Sequence, residues 1–483
     1  MTAIPVMDHW LVPLRGLRSA AVPRDPVAIL TGCLVFVLVL ALPAILNDGD
    51  TLWQIRAGGW ILDHHAIPRV DPFGYTAGDR AWSPHEWGAE TLLAVAWRAA
   101  GMAGVMALTA AAAGVAAGLL LHYLRRWLPD RYALLALTVA LANAAPSLLA
   151  RPHVLAWPCL VLWTIGLLRA RACRVAPPWS LLPVMLVWVN LHGSFMLGLL
   201  LPAGFLLEAL LDPSARHRRP LAGWGGFLAA AWAVACLNPD GVTGVWFPIR
   251  LLGMHSLGWI GEWAPPDLSR PGPLVLTLLG LVALALSGRM RLGPVRVLMV
   301  LALVFGALTH ARNGQLLGMV GVLLVTEPVA TGFGLGPSRT ARAAGWDRVA
   351  ALLMLAALAV RLVAPLPSAR TGEAFAALLD RVPAAVRGTP VLNAYELGGA
   401  LIFQGVRPFI DSRADLYGDA ALDRYRRLSE GDPATLRAAV TGYGIRWTIF
   451  PIGSPVVAWL DRQPGWRRAV VQQGLVVHVR TGV

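Results

Sequence analysis

The sequence predicts an α-helical polytopic membrane protein, with about eleven transmembrane helices and a C-terminal outer α/β domain. Three observations lead there. Apolar residues make up 57% of the 483-residue chain and charged residues only 14%, whereas an ordinary soluble domain carries roughly 25% charge. Apolar runs of about 20 residues, the length that crosses a hydrocarbon core, recur with few interruptions. Past residue 367 the charge rises and the apolar runs shorten to strand length.

Residues 1–26 form an arginine-bearing leader. The first apolar run, Val27 to Leu46, lacks a small-residue cleavage site and reads as a retained signal anchor. Spans are expected near 27–46, 103–122, 132–149, 153–169, 179–190, 194–211, 221–237, 272–288, 295–311, 314–330 and 348–366. The membrane unit thus covers 27–366 and the C-terminal domain 367–483. The formal net charge is +14, and every basic residue is arginine. These arginines sit mostly in short loops between apolar runs, which marks them as topology determinants and argues against a nucleic-acid partner. Arg15/Arg18/Arg24, Arg125/Arg126/Arg131, Arg169/Arg171/Arg174, Arg216/Arg218/Arg219, Arg289/Arg291/Arg296 and Arg339/Arg342/Arg348 alternate with arginine-poor loops. The positive-inside rule then places the N-terminus in the cytoplasm and the C-terminal domain in the periplasm of a bacterial inner membrane. Cys33, Cys159, Cys173 and Cys236 show neither zinc spacing nor a disulfide framework.

The arginine-poor face collects the chemistry. The first outer loop, 47–90, holds Asp48, Asp50, Asp63, Asp71, Asp79, Glu86 and Glu90. Later turns on that face contain Arg151-Pro152-His153, Asn190-Leu-His192-Gly193, Asn238-Pro239-Asp240-Gly241 and His310-Ala-Arg312-Asn313, and a longer loop adds Arg250, His255, Glu262 and Trp263. Ionisable groups at membrane depth are costly, so five such turns on one face point to a shared site. Asp48 and Asp50, separated by one glycine, suit a general base with a positioning partner, or a pair that holds a divalent cation such as magnesium or manganese. A plain helix cap is the alternative reading. Trp53 to Leu62 suits a short interfacial helix, with Trp53 and Trp60 on one stripe next to Ile55 and Leu62, and Arg56 free to snorkel. His85 and Glu86, in Trp82-Ser83-Pro84-His85-Glu86-Trp87, open a second amphipathic or partly embedded helix through Trp97 and could reach toward the acidic pair; an aromatic belt with a helix cap is the alternative reading.

In the C-terminal domain, strands are expected at Thr389–Leu392, Leu401–Gln404, Arg407–Ile410, Trp447–Pro451 and Leu475–Val479. Helices are expected at Glu373–Arg381, Asp419–Ser429 and Pro433–Val440. Two polar patches follow predicted strands: Tyr395 and Glu396 within Asn393–Gly399, and Asp411, Arg413 and Asp415 within Asp411–Asp419. Each is a candidate binding site or a structural ion-pair turn. The absence of a phosphate-binding glycine loop and of a nucleophile elbow argues against an ATP-driven machine or a serine hydrolase.

This pattern resembles the C-type (GT-C) membrane glycosyltransferases, among them protein O-mannosyltransferases, aminoarabinose transferases and the oligosaccharyltransferase catalytic subunit. The likeness extends to a poorly characterised bacterial branch. It is carried by Asp48/Asp50/Trp53, Asp71 to Thr76, His85 to Trp87, Arg151-Pro152, Asn190 to Gly193, Asn393 to Gly399 and Asp411 to Tyr417. The resemblance implies transfer of a sugar from a polyprenyl-phosphate donor to a glycolipid, polysaccharide or protein acceptor at the outer membrane face. By the same analogy Asp48 is the base and Asp50 orients the acceptor or helps hold a metal. The departing phosphate needs cationic stabilisation. Arg151, Arg250 or Arg312 would supply it, with His192 and His310 as further donors and His85 and Glu86 near the acidic pair. Many relatives of known activity place two acids side by side where this chain has an intervening glycine, which leaves metal dependence open. The other readings are a polymerase or ligase of whole glycans, a transporter or flippase, and a non-catalytic envelope-assembly scaffold.

Overall fold

The computed structural model describes residues 25–77, 80–212, 218–338, 346–366 and 372–481. Residues 1–24, Asp79, Arg216, Arg339, Arg342 and the side chains of Arg218 and Arg219 lie outside them. Helix occupies each of the expected spans. Among the described residues, Trp87–Leu124, Pro152–Ala172 and Ala311–Gly332 are long and apolar enough to cross a membrane. Other apolar helices are shorter. Pro273–Leu286 buries no residue and leaves Leu276, Leu279 and Leu286 exposed, Leu286 by 82%. Apolar faces left open on this scale need a lipid or protein neighbour.

Helix α1 (Pro26–Leu40) starts where Asp25 accepts a hydrogen bond from the Ala28 amide and Pro26 takes the first helical position. It packs along α3 (Trp87–Leu124) through glycines. A Cβ on Gly32 would meet the Gly114 carbonyl at 2.8 Å, and one on Gly114 would meet the Gly32 carbonyl at 2.6 Å. Small residues at such a crossing let two backbones approach and gain dispersion contacts. At one end of the bundle the arginine segments adjoin one another. Arg125 pairs with Asp25 and Asp130, Arg171 with Glu208 and Asp212, and Arg296 with Glu208 and Glu327.

Helix α2 (Gly49–His64) follows α1 after a short turn and meets the first part of α3, where a Gly58 Cβ would strike the Glu90 carbonyl. Helix α3 breaks at Ala100 and Gly101, whose φ of 57° favours glycine. The stretch before the break is the expected embedded helix and the stretch after it the expected span. The stripe on α2 divides differently from the expectation. Trp53 is buried against the C-terminal domain, with its indole donating to Ser412 Oγ at 3.1 Å, while Ile55 packs into the helical bundle. The helix is covered on both sides, and Arg56 remains exposed.

The C-terminal domain holds a four-stranded sheet in the order β1-β2-β4-β3, formed by β1 (Val391–Asn393), β2 (Trp447–Pro451), β3 (Trp466–Gln472) and β4 (Leu475–Arg480). β1 runs parallel to β2, and the other pairings are antiparallel. The helices Glu373–Leu379, Ala414–Ser429 and Pro433–Gly442 match expectation closely. Two expected strands are absent. Leu401–Gln404 falls in the helix Gly398–Phe403 and its end, because Gly398 and Gly399 press backbone to backbone on Asp411 and Gly49. Arg407–Ile410 pairs with no strand. The Asn393 side chain holds it instead, accepting from the Phe409 amide and donating to the Ile410 carbonyl, each at 2.8 Å. The unexpected strand β3 is a half-exposed, arginine-bearing edge, a composition that hides a strand from hydrophobic patterning.

The first loop belongs structurally to this domain. Tyr75 donates to the Val391 carbonyl at 2.8 Å, Thr76 to Phe409 at 2.6 Å, and Arg407 to Gly74 at 2.6 Å. At the centre lies Arg413, 2% exposed, which binds Asp411 through Nε and Nη2 and Asp71 through Nη1 at 2.7–2.8 Å. Tyr417 completes the cluster with a hydroxyl bond to Asp411 at 2.9 Å. Removing the cation strands two buried carboxylates. Arg413→Ala should therefore cost about 3–5 kcal/mol of stability, read by thermal unfolding in detergent, whereas Asp71→Asn, which spares the Asp411 pair, should cost less. Equal, small effects would contradict this account.

Candidate functional site

A cavity of about 500 Å³ lies where α2, the start of α3, three helix ends and the C-terminal domain meet. Asp48 caps α2, with its carboxylate accepting from the Asp50 amide at 3.3 Å, so the cap reading and the site reading hold together. Arg151, at the entry to Pro152–Ala172, gathers the acids. Its Nε and Nη2 bind Asp48, Nη2 also binds Asp50, and Nη1 binds Glu262 at 2.5 Å. Glu262 also accepts from Arg312 Nη1 at 3.2 Å, and the Arg312 guanidinium lies 4.3 Å from the centre of the Trp263 ring. One carboxylate thus bridges two arginines.

Beside this group, Glu86 Oε1 lies 3.5 Å from His192 Nε2 and 3.8 Å from His85 Nε2. Gln54 Nε2 reaches Glu86 Oε2 at 3.5 Å. Burial pushes Glu86 up to about 8 against the opposing pull of Arg312 and Arg151. Burial, with Arg312 adding to it, holds His85 down to about 3. These contacts therefore join neutral groups at neutral pH. Burial and then the Asp50 charge raise Asp48 to about 6, with Arg151 opposing. Burial likewise raises Asp415 to about 6. Glu262 is held below the usual range, because Arg312 and Arg151 together outweigh its burial.

Of the residues singled out in the sequence, Asp48, Asp50, His85, Glu86, Arg151, His192, Arg312, Tyr395, Glu396, Arg413 and Asp415 line this one cavity. Three assignments change. Arg250 is exposed on Val242–Leu252 and donates to its own helix at the Thr243 carbonyl, away from the cavity. Asp411 lies behind the wall, and Arg413 spends its donors on Asp411 and Asp71, so this pair is structural. His310 turns edge-on to Trp263 instead of entering the cavity. Asp48 and Asp50 do not fit a metal site, since both are bound to the Arg151 guanidinium. Among the described residues no three His, Cys, Asp or Glu side chains group to hold an ion.

Gln54, Glu90 and Trp82 also line the cavity without having been singled out as site residues. Gln54 stands four residues after Asp50 and Glu90 four after Glu86, the spacing that puts side chains on one helix face. Neither a scan against protein-family models nor a search of curated proteins matches this chain to anything.

The raised acids make stability depend on pH. A carboxyl whose folded pKa lies above its unfolded value stabilises the fold at low pH and loses that contribution as pH rises through the folded pKa. For Glu86 the loss runs from its ordinary 4.5 up to about 8. Glu86→Gln should flatten the fall in Tm across this range and exceed the parent at about pH 8. A Tm profile parallel to the parent's would contradict the assignment.

Proposed function

We propose that this chain is a C-type membrane glycosyltransferase, which moves a sugar from a polyprenyl-phosphate donor to an acceptor hydroxyl at the outer face of the cytoplasmic membrane. In this reading it crosses the membrane about eleven times, with its N-terminus cytoplasmic and residues 367–483 periplasmic. The supporting observation is a cavity with an acid, an arginine and an apolar flank. Leu160, Met196, Leu197, Leu200 and Leu252 also line it. Leu200 and Leu252 are 59% and 55% exposed, so the flank runs out to the apolar exterior of the bundle. A lipid phosphate has the matching shape, a charged head on an apolar tail.

The reaction divides among the residues as follows. The acceptor hydroxyl attacks the anomeric carbon and gives its proton to Asp48, whose pKa near 6 leaves it ionised at neutral pH. The bond from that carbon to the phosphate oxygen breaks, and the lipid phosphate departs with the electron pair. Arg312 is the residue suited to receive it. Arg151 is already bound to three carboxylates, whereas Arg312 has one carboxylate contact, at 3.2 Å, which a phosphate oxygen would replace. Arg151 is a positioning residue that fixes Asp48 and Asp50.

The experiment compares surface glycans and glycolipids by mass spectrometry in the parent strain, a deletion strain and strains carrying Asp48→Asn or Arg312→Gln at matched expression. Loss of the base should cut transfer by roughly 10²–10⁴-fold, and loss of the phosphate ligand by roughly 10²–10³-fold. One sugar mass should disappear while its polyprenyl-phosphate donor accumulates. A deletion phenotype together with full transfer in Asp48→Asn would reject the transferase reading in favour of transport or scaffolding.

A further inference from the structure

We propose that the part of the cavity between α2 and the C-terminal domain is a sugar-binding subsite, in which Gln54, Glu90, Tyr395 and Asp415 read the hydroxyls of a neutral ring lying beside Trp53 and Trp82. This rests on the transferase reading and supplies the half of the substrate that the arginines do not hold.

The evidence is a set of unmet hydrogen-bonding groups. Gln54 is 3% exposed and Glu90 1%, yet Gln54 Oε1 and Glu90 Oε2 have no partner, and neither does the hydroxyl of Tyr395. All three residues line the same cavity. Buried polar atoms are nearly always paired, because leaving one unpaired forfeits its hydration without return. Three such atoms just beneath one wall mark a place where a turn of each side chain toward a ligand supplies the partners. The backbones that carry Gln54 and Glu90 are held close together, because α2 and α3 touch at Gly58 and Glu90.

The chemistry of the wall selects the ligand. An amide, a phenol and the neutral Glu86 carboxyl beside Gln54 each donate and accept, which suits hydroxyl groups. The guanidinium of Arg413, which lies 4.6 Å from the centre of the Trp82 ring and acts on Asp415, already supplies the cation of this wall. Trp53 and Trp82, edge to face at 6.4 Å, add the apolar surface that the C–H faces of a sugar pack against. Gln54 also touches Glu86, which adjoins His192, so the subsite is continuous with the charged end.

The test titrates the full-length protein in lipid nanodiscs, by intrinsic tryptophan fluorescence, with decyl phosphate and with decyl phosphates carrying glucose, galactose or mannose. At least one hexosyl phosphate should bind about tenfold more tightly than decyl phosphate, the worth of one or two hydrogen bonds. Gln54→Leu and Glu90→Leu should erase that advantage while keeping decyl phosphate affinity, which also shows that they fold. Where a leucine variant loses both affinities, Gln54→Met or Glu90→Met replaces it in the same comparison. The proposal is overturned if no hexosyl group adds affinity, or if the advantage survives both substitutions. A hexosyl preference without Asp48-dependent transfer would sink the transferase reading alone. Asp48-dependent transfer without the preference would sink the subsite alone.

Discussion

The guanidinium of Arg151 lies among the carboxylates of Asp48, Asp50 and Glu262, which reach it from the start of α2 and from the loop beyond Val242–Leu252. Three acids around one half-buried cation leave excess negative charge in a poorly solvated place. The molecule answers in two ways. Asp48 holds its proton up to about 6, and Arg312 shares Glu262 from the other side. Without Arg151 the α2 acids would repel each other and the 262 loop would lose its inner anchor. The positions of Asp48, Arg312 and the cavity wall all follow from this contact.

A fully buried arginine fixes the other wall. Arg413 ties the first loop at Asp71 to the C-terminal domain at Asp411, and the glycines of α2 and of Gly398–Phe403 then bring two backbones together. The domain thus roofs the cavity and contributes Tyr395 and Asp415 to it. A buried ion pair is weak as a source of net stability but strongly penalises any arrangement that separates its partners. Here it fixes where the roof sits over the acids.

The sequence made the helices readable through long apolar runs, and it made most of the site readable because Asp48, Arg151, His192 and Arg312 stand at the ends of such runs. What it hid depended on phase and distance. Arg250 lies five residues after the buried Val245, which turns it to a different face of the same helix. The pairing of Asp411 with Arg413 could be read from their spacing, but Asp71 joins them from 342 residues away. Glu262 meets its arginines across 111 and 50 residues. The segment Arg407–Ile410 has a strand's composition but is held by one asparagine side chain, which no periodicity reveals.

In the proposed function the cavity cleaves a sugar from a lipid phosphate with Asp48 as the base. The most direct measurement reconstitutes the purified protein in proteoliposomes with membrane extract as the acceptor source and a panel of synthetic polyprenyl-phosphate sugars. It then quantifies bare polyprenyl phosphate against donor consumed. The account predicts one polyprenyl phosphate released per sugar lost from one member of the panel, and no release with Asp48→Asn. Donor that crosses the bilayer intact, or release that is unchanged in Asp48→Asn, would contradict it.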